Sequence, residues 1–260
     1  MHDGELRPSE RNHTQYAKDF DELPFERILE KYRFRRSQEM LSKIPSKQIR
    51  KVLEIGPGYS PLSAEVFPKS KTILLEPAEN LRHYIEEKFS DSSSITIIGQ
   101  DLGSFFTSTK SDCFDLVILS SVLHELIDPD IELSRIHALL SKNGYFFVVV
   151  PNNESVHRLL GVHLGVLESS TSLTSTERVM QQHANYSIES IQKKLKEHNF
   201  SIEFITTSFL KPHTHFQMQK WVDNGSLSEE KLENLYQLSE FFSPFNSEIF
   251  LLAKKSPNGN

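Results

Sequence analysis

The sequence predicts an α/β fold: a doubly wound, mostly parallel sheet with helices on both faces. Three observations predict it. Short apolar runs alternate with segments of helical apolar spacing between residues 51 and 150. The run Tyr145–Val150 is apolar throughout, as a strand covered on both faces must be. Glycines and acids gather where the runs end, at the carboxyl edge where sheets of this kind bind ligands.

The elements follow in order. Residues 1–12 are polar and read as a poorly ordered start; Met1 to Glu10 carries charge and no apolar stretch, so no secretory signal is expected. His13 to Pro24 places Tyr16, Phe20 and Leu23 among charges. A helix is predicted from about Glu26 to Ile44, stopped by Pro45, with the basic cluster Arg33, Arg35, Arg36 read as facing solvent rather than an anionic substrate. Strands follow at Lys51–Ile55, Thr72–Leu75, Ile95–Ile98, Cys113–Leu119 and Tyr145–Val150. Between them lie helices at Pro61–Phe67, after Pro77, and from Asp128 to Asn143-Gly144, the last with an apolar face of Ile131, Ile136, Leu139 and Leu140. Beyond it come an irregular stretch at 152–186, with a helix from Asn152 to about Leu167 and a Ser/Thr-rich connector at Glu168–Thr176. A helix capped by Ser187 and a strand at Phe200–Ile205 follow. A second excursion at 211–246 has a helix from Glu229 to about Phe242, and a last strand spans Glu248–Ala253 before a frayed tail. The domain reading is a helical lid at 1–45 and a main domain at 46–260, with cover insertions at 152–186 and 211–246.

Composition narrows the function. The 260 residues carry a net charge of −6, which argues against a nucleic-acid partner. The single Cys113 excludes an internal disulfide and fits a reducing, cytoplasmic compartment. Tyr145–Val150 is the longest apolar run and far too short to insert in a membrane. His213 and His215 lack a third ligand nearby, so no metal is expected. The oligomeric state is left open, a homodimer included.

The chemistry concentrates at Glu54-Ile55-Gly56-Pro57-Gly58-Tyr59-Ser60-Pro61. Gly56 permits a sharp strand-to-helix turn and Gly58 lets a ligand approach the backbone. The helix that follows, with Ser60 read as its cap, points its free N–H groups into the same space. Glu76 ends the second strand 20 residues past Gly56, where a carboxylate accepts from both hydroxyls of a ribose. Asp101 ends the third strand, placed to accept from an exocyclic amine while the Leu102 N–H donates to a ring nitrogen; that pair suits adenine. Pro61 stands where a dinucleotide fingerprint wants a third glycine, and Glu54 is a poor neighbour for pyrophosphate and a good one for a cation. A sulfonium or ammonium ligand fits better than a nicotinamide dinucleotide, which stays as the rival.

These residues, with Phe114–Leu119 and Leu140–Pro151, resemble the class I S-adenosylmethionine-dependent methyltransferases, in particular the small-molecule branch of the type 11 and 12 groups. The resemblance covers residues 45–151 well and the rest loosely. It implies a Rossmann-like sheet of seven strands, mostly parallel with an antiparallel last strand, and an N-terminal helical lid. It also implies that Gly56 and Gly58 line the methionine moiety, Glu54 orients the turn and the amino group, and Glu76 binds ribose. Asp101 and Leu102 would hold adenine, Ser120 would lie near the methionine end, and Tyr16 would belong to a lid folding over S-adenosyl-L-methionine. The Asp/Asn-Pro-Pro-Tyr signature of amine-methylating nucleic-acid enzymes is absent, and no Cys pair serves a cytosine route.

Methyl transfer to a small molecule, at an oxygen of a sugar or natural product, is the expected activity. A cofactor-binding scaffold without turnover is the non-enzyme alternative. An oxygen acceptor calls for a base. His124 is either that base or a packing residue ahead of the Asp128 cap, with packing preferred; His183 and then His157 stand behind it. Trp221 and the Phe-rich stretch near residue 242 are read as core or pocket lining.

Overall fold

The structure is a computed structural model, and it describes residues 12–111 and 113–256. The expected disorder of the first eleven residues, and the end of the expected tail, lie outside the described residues.

Two helices come first, α1 (His13–Glu22) and α2 (Glu26–Leu41). Then β1 (Lys51–Ile55), α3 (Leu62–Val66), β2 (Lys71–Leu75), α4 (Glu79–Lys88), β3 (Ile95–Ile98), α5 (Leu102–Ser108), β4 (Phe114–Ser120), α6 (Pro129–Leu139) and β5 (Leu140–Pro151) alternate. The remainder adds α7 (Val156–His163), α8 (Ser175–Val179), α9 (Ile188–Glu197), β6 (Phe200–Ser208), α10 (His215–Asp223), α11 (Glu229–Leu238) and β7 (Glu248–Lys255). The seven strands form one sheet in the order β3-β2-β1-β4-β5-β7-β6. The first five pair parallel, and β7 runs antiparallel to both of its neighbours, as expected.

Period-two alternation splits the strands between two cores. Leu53, Ile55, Val117, Leu119, Phe146 and Val148 face Leu133, Ile136, Ile191 and Leu195 of α6 and α9. Val52, Leu116, Ile118, Phe147 and Val149 face Met40, Leu41 and Leu62 of α2 and α3. Each such side chain removed from water contributes roughly 1.5–3 kcal/mol, so the sheet is pinned from both faces.

A third cluster ties α2 to the second excursion. Phe25, Leu29 and Tyr32 pack with Phe209, Met218, Leu227, Leu232 and Tyr236. The second of the two N-terminal helices thus shares a core with α10 and α11.

Several local expectations change. Asp101 caps α5 and Thr214 opens α10 with a capping box; neither helix was expected, because both are too short to show a helical repeat of apolar residues. α8 sits at the end of the Ser/Thr-rich connector, started by a Thr174–Glu177 capping box. α6 ends at Leu139 and β5 begins at once; Asn143, at φ 65°, marks an irregularity inside the strand rather than a helix stop. Ile131 is 49% exposed and leaves the apolar face of α6 to Leu133, Ile136 and Leu139. Lys254 and Lys255 pair in β7 instead of fraying. Phe241, Phe242 and Phe245 are exposed and belong to no core.

Arg33 corrects the reading of the basic cluster. It is 8% exposed, held by Glu26 and Glu248, while Arg35 stays at the surface on Glu233. Position on the helix decides: Arg33 shares the inward face with Leu29, Tyr32, Ser37 and Met40.

Candidate functional site

The carboxyl ends of the parallel strands open into one cavity of about 1160 Å³. That is somewhat more than the roughly 300–1,000 Å³ of ordinary ligand pockets, enough for a cofactor and a second molecule. One wall is the glycine turn after β1. Gly56 takes φ +64°, donates its N–H to the Leu75 carbonyl at 2.9 Å, and would push a Cβ to 2.7 Å from Val122 Cγ2. Gly58 takes φ +57°, and nothing lies within 4 Å of where its Cβ would be. The first glycine is needed by the packing and the turn, the second by the open space beside it.

Glu54 is 2% exposed and works on the protein itself. Its Oε1 accepts from Leu62 N–H and its Oε2 from Ser63 N–H, both at 2.9 Å, and from the Ser63 hydroxyl. These are the orphan donors at the start of α3. Burial pushes this carboxyl up, and the Ser63 hydroxyl and the N–H groups pull it back. Glu54 thus caps α3 from the strand, and the Ser60 hydroxyl does not. Both of its oxygens are taken up by the start of α3, whereas the resemblance assigns it the turn and an amino group. Glu54→Gln puts an amide NH2 against a backbone N–H; we expect a loss of about 1–3 kcal/mol, read as a lower urea midpoint at constant slope. An unchanged midpoint would remove the capping role.

Glu76 stands at the rim. Its Oε2 accepts from Gly58 N–H at 3.2 Å and its Oε1 from Ala78 N–H at 3.0 Å. Asp101 uses Oδ1 to cap α5 through Ser104 N–H at 2.7 Å. Leu102, Ser120 and His124 line the same cavity, as does Tyr16 from α1.

α1 is held over this rim at several points. Asn12 and Gln181 exchange hydrogen bonds of 2.9 and 3.0 Å across to the first cover segment. Tyr59, beside Gly58, donates to Asp21 at 2.9 Å with the Arg27 guanidinium 4.2 Å over its ring. Ala17 is buried against Ala78 and Leu81.

The two catalytic candidates meet only through backbone. His124, 2% exposed, offers its carbonyl to the N–H groups of His183 and Ala184 at 2.9 and 3.1 Å. His183 is itself exposed and lines no part of the cavity, so the structure does not bring it to the chemistry. His124 does line it.

The other end of the cavity gathers residues that the sequence does not connect with one another. Arg33 bridges Glu26 at 2.8 Å and Glu248 at 2.5 Å. Burial alone would raise the Glu26 carboxyl; Arg33 and then His215 more than offset it and hold the group at about 2. Burial raises Glu248 despite Arg33. Arg158 binds Glu177 and the carbonyls of Ser170 and Ser172, fastening the first cover segment. Lys211 Nζ is 3.0 Å from His215 Nδ1, and His215 Nε2 is 3.3 Å from Glu26 Oε2. His157, placed behind His124 and His183 on the sequence, lines this end, its Nδ1 on the Ser155 hydroxyl at 3.1 Å. Burial, then Lys211 and His215, hold its pKa well below the usual imidazole value. One signal was available: Glu26 and Arg33 are seven residues apart, on one helix face with Leu29 between them.

Among the described residues no group of three or more His, Cys, Asp and Glu is placed to hold a metal, and no helix is long and apolar enough to cross a membrane.

Solved structures share this architecture at low identity. A chain of the Haloferax volcanii complex between the Trm112 methyltransferase activator and a methyltransferase superposes with a TM-score of 0.62 at 11% identity, covering 95% of this chain and 99% of that one. An S-adenosylmethionine-dependent methyltransferase from Thermotoga maritima gives 0.57 at 18% identity, over 93% and 98%. The [4+2]-cyclase SpnF gives 0.56 at 12%, over 85% and 80%, so the fold alone does not fix the reaction. No curated protein matches the sequence. The sequence family described as the methyltransferase domain matches residues 25–203, a span that runs from the second helix through all five parallel strands into β6. That match takes in well over half of the chain, and the sheet order agrees with it: the chain belongs to the methyltransferase domain family.

Proposed function

We propose that the chain transfers a methyl group from S-adenosylmethionine to an oxygen of a small acceptor, a sugar derivative or a natural product. The carrying observation is that the Gly58 opening, Glu76, Asp101 and the α1 lid all face one cavity whose far end lies under the cover segments. The residues present fit such a donor. Gly58 leaves room for it, and two backbone N–H groups fix the Glu76 carboxylate at the rim, where ribose hydroxyls would donate to it. Asp101 and Leu102 would receive the adenine edge. When bound, the donor supplies an activated methyl group. The protein's part is to hold the acceptor in line, exclude water under α1 and the covers, and take a proton from the attacking hydroxyl. His124 is the base we assign to that step. The single Cys113 supports a reducing, cytoplasmic setting.

Calorimetric titration with S-adenosylhomocysteine and with NAD tests the reading: the first should bind and the second should not. The reverse preference would sink it, and binding without turnover on any acceptor would favour a scaffold. In the same titration Asp101→Ala should weaken S-adenosylhomocysteine roughly 10-fold, one hydrogen bond to a charged group, with the chain still folded. Equal affinity in the two proteins would count against the adenine assignment.

A further inference from the structure

We infer that the acceptor carries a carboxylate, and that Lys211 is the cation that receives it at the end of the cavity away from the glycine turn. This rests on the methyltransferase reading above and adds the chemical class of the acceptor.

Every other lasting cation at that end touches a carboxylate. Arg33 is taken by Glu26 and Glu248, and Arg158 by Glu177. Lys211 is 2% exposed and lines the cavity, yet among the described residues no carboxylate lies within ion-pair distance of its Nζ. Its hydrogen bond goes to a neutral acceptor, His215 Nδ1 at 3.0 Å. An ammonium has three donors, and a desolvated one is costly unless an anion or several acceptors meet it. Burial pushes Lys211 down to about 8, so it remains mostly charged at neutral pH, with no carboxylate in direct contact to meet it. A bound monoanion would give the ammonium the direct anionic contact that Glu26 and Glu248, both held by Arg33, do not make.

The surroundings select among anions. Glu26, Glu177 and Glu248 stand close enough to act on the Lys211 charge. A phosphate dianion would meet three carboxylates with one uncommitted cation; a carboxylate needs only that one. The donor's own carboxylate is a poor candidate. Lys211 follows β6, four strands away from β1 in the sheet order, about 19 Å at the usual inter-strand spacing. The rim beside the glycine turn is acidic, with Glu76 and Asp101, so an anionic acceptor is turned toward the Lys211 end.

The test uses two matched pairs, hydroxybenzoate against hydroxybenzamide and glucuronate against glucose, titrated into the protein saturated with S-adenosylhomocysteine. In the wild type at least one acid should bind roughly 10-fold or more tighter than its neutral partner, the worth of a charge-assisted bond. Lys211→Met should abolish the preference while S-adenosylhomocysteine affinity stays the same. An apolar chain of similar length replaces a desolvated cation there, so the variant is expected to fold. If neither acid outbinds its partner in the wild type, or if Lys211→Met keeps the preference, the carboxylate subsite is wrong. Loss of S-adenosylhomocysteine binding in Lys211→Met would also overturn it, assigning the lysine to the donor. Failure of the wild type to bind S-adenosylhomocysteine at all would instead strike the methyltransferase reading.

Discussion

Glu76→Gln should reduce affinity for S-adenosylhomocysteine by at least about 100-fold, the cost of two hydrogen bonds to a charged acceptor at ~1.5–3 kcal/mol each. The carboxylate does two jobs with one charge. It takes the N–H groups of Gly58 and Ala78, which joins the glycine turn to the start of α4, and in the proposed complex it accepts from ribose. An amide of the same shape presents an NH2 where one acceptor stood. One of the backbone donors then faces a donor, the turn loosens, and the ribose loses its anionic partner. The fold should survive, because neither β1 nor β2 depends on this side chain for its pairing, which is backbone with backbone. Calorimetry checks the affinity and a thermal melt checks the fold. A change below about threefold, less than ~1 kcal/mol, would mean that Glu76 only braces the loop.

The half of the site around Glu76 was legible because each residue there is fixed by local chemistry. Glycines at positive φ mark the turn, and an acid at a strand end marks the rim. Asp128-Pro129 announces a helix through capping rules that act within four residues. The Lys211 half was not legible, because its geometry is set by long-range partners. Arg33 and Glu248 are 215 positions apart and meet only once β7 has been inserted between β5 and β6. Nothing near Arg33 in sequence separates it from Arg35 and Arg36 except helix phase. His183 failed for the opposite reason. Its neighbourhood, ahead of the capped α9, looked like a site, but its backbone is used to tie the cover to His124 and its side chain turns out to be exposed. α1 lines the rim, while α2 packs with α10 and α11 through apolar contacts that link residues 25–32 to residues 209–236, too far apart in the chain to be read locally.

Arg33→Met should destabilise the protein by about 3–5 kcal/mol at pH 7.5, the usual cost of removing one member of a buried ion pair. The loss comes from what is left behind rather than from the arginine. Glu26 and Glu248 are both buried, and burial works to raise both carboxyls; Arg33 is the largest influence pulling each of them down. In the wild type Glu26 has a folded-state pKa of about 2, below its unfolded value. It therefore contributes stability that is full above the ordinary carboxylate range and is lost only as pH falls through that range toward 2. Without Arg33 the sign reverses for Glu26, and Glu248, already raised, rises further. The folded state then binds protons first and gains stability as pH falls through the raised values toward the ordinary carboxylate range. The deficit against wild type should thus shrink between pH 7.5 and pH 5. Adding Glu26→Gln and Glu248→Gln to the arginine variant should recover part of it at pH 7.5 with little further pH dependence. Urea denaturation of the three proteins at both pH values measures this. A deficit that is equal at the two pH values, or one that the paired amides do not reduce, would show that Arg33 acts through packing and not as the counter-ion of this cluster.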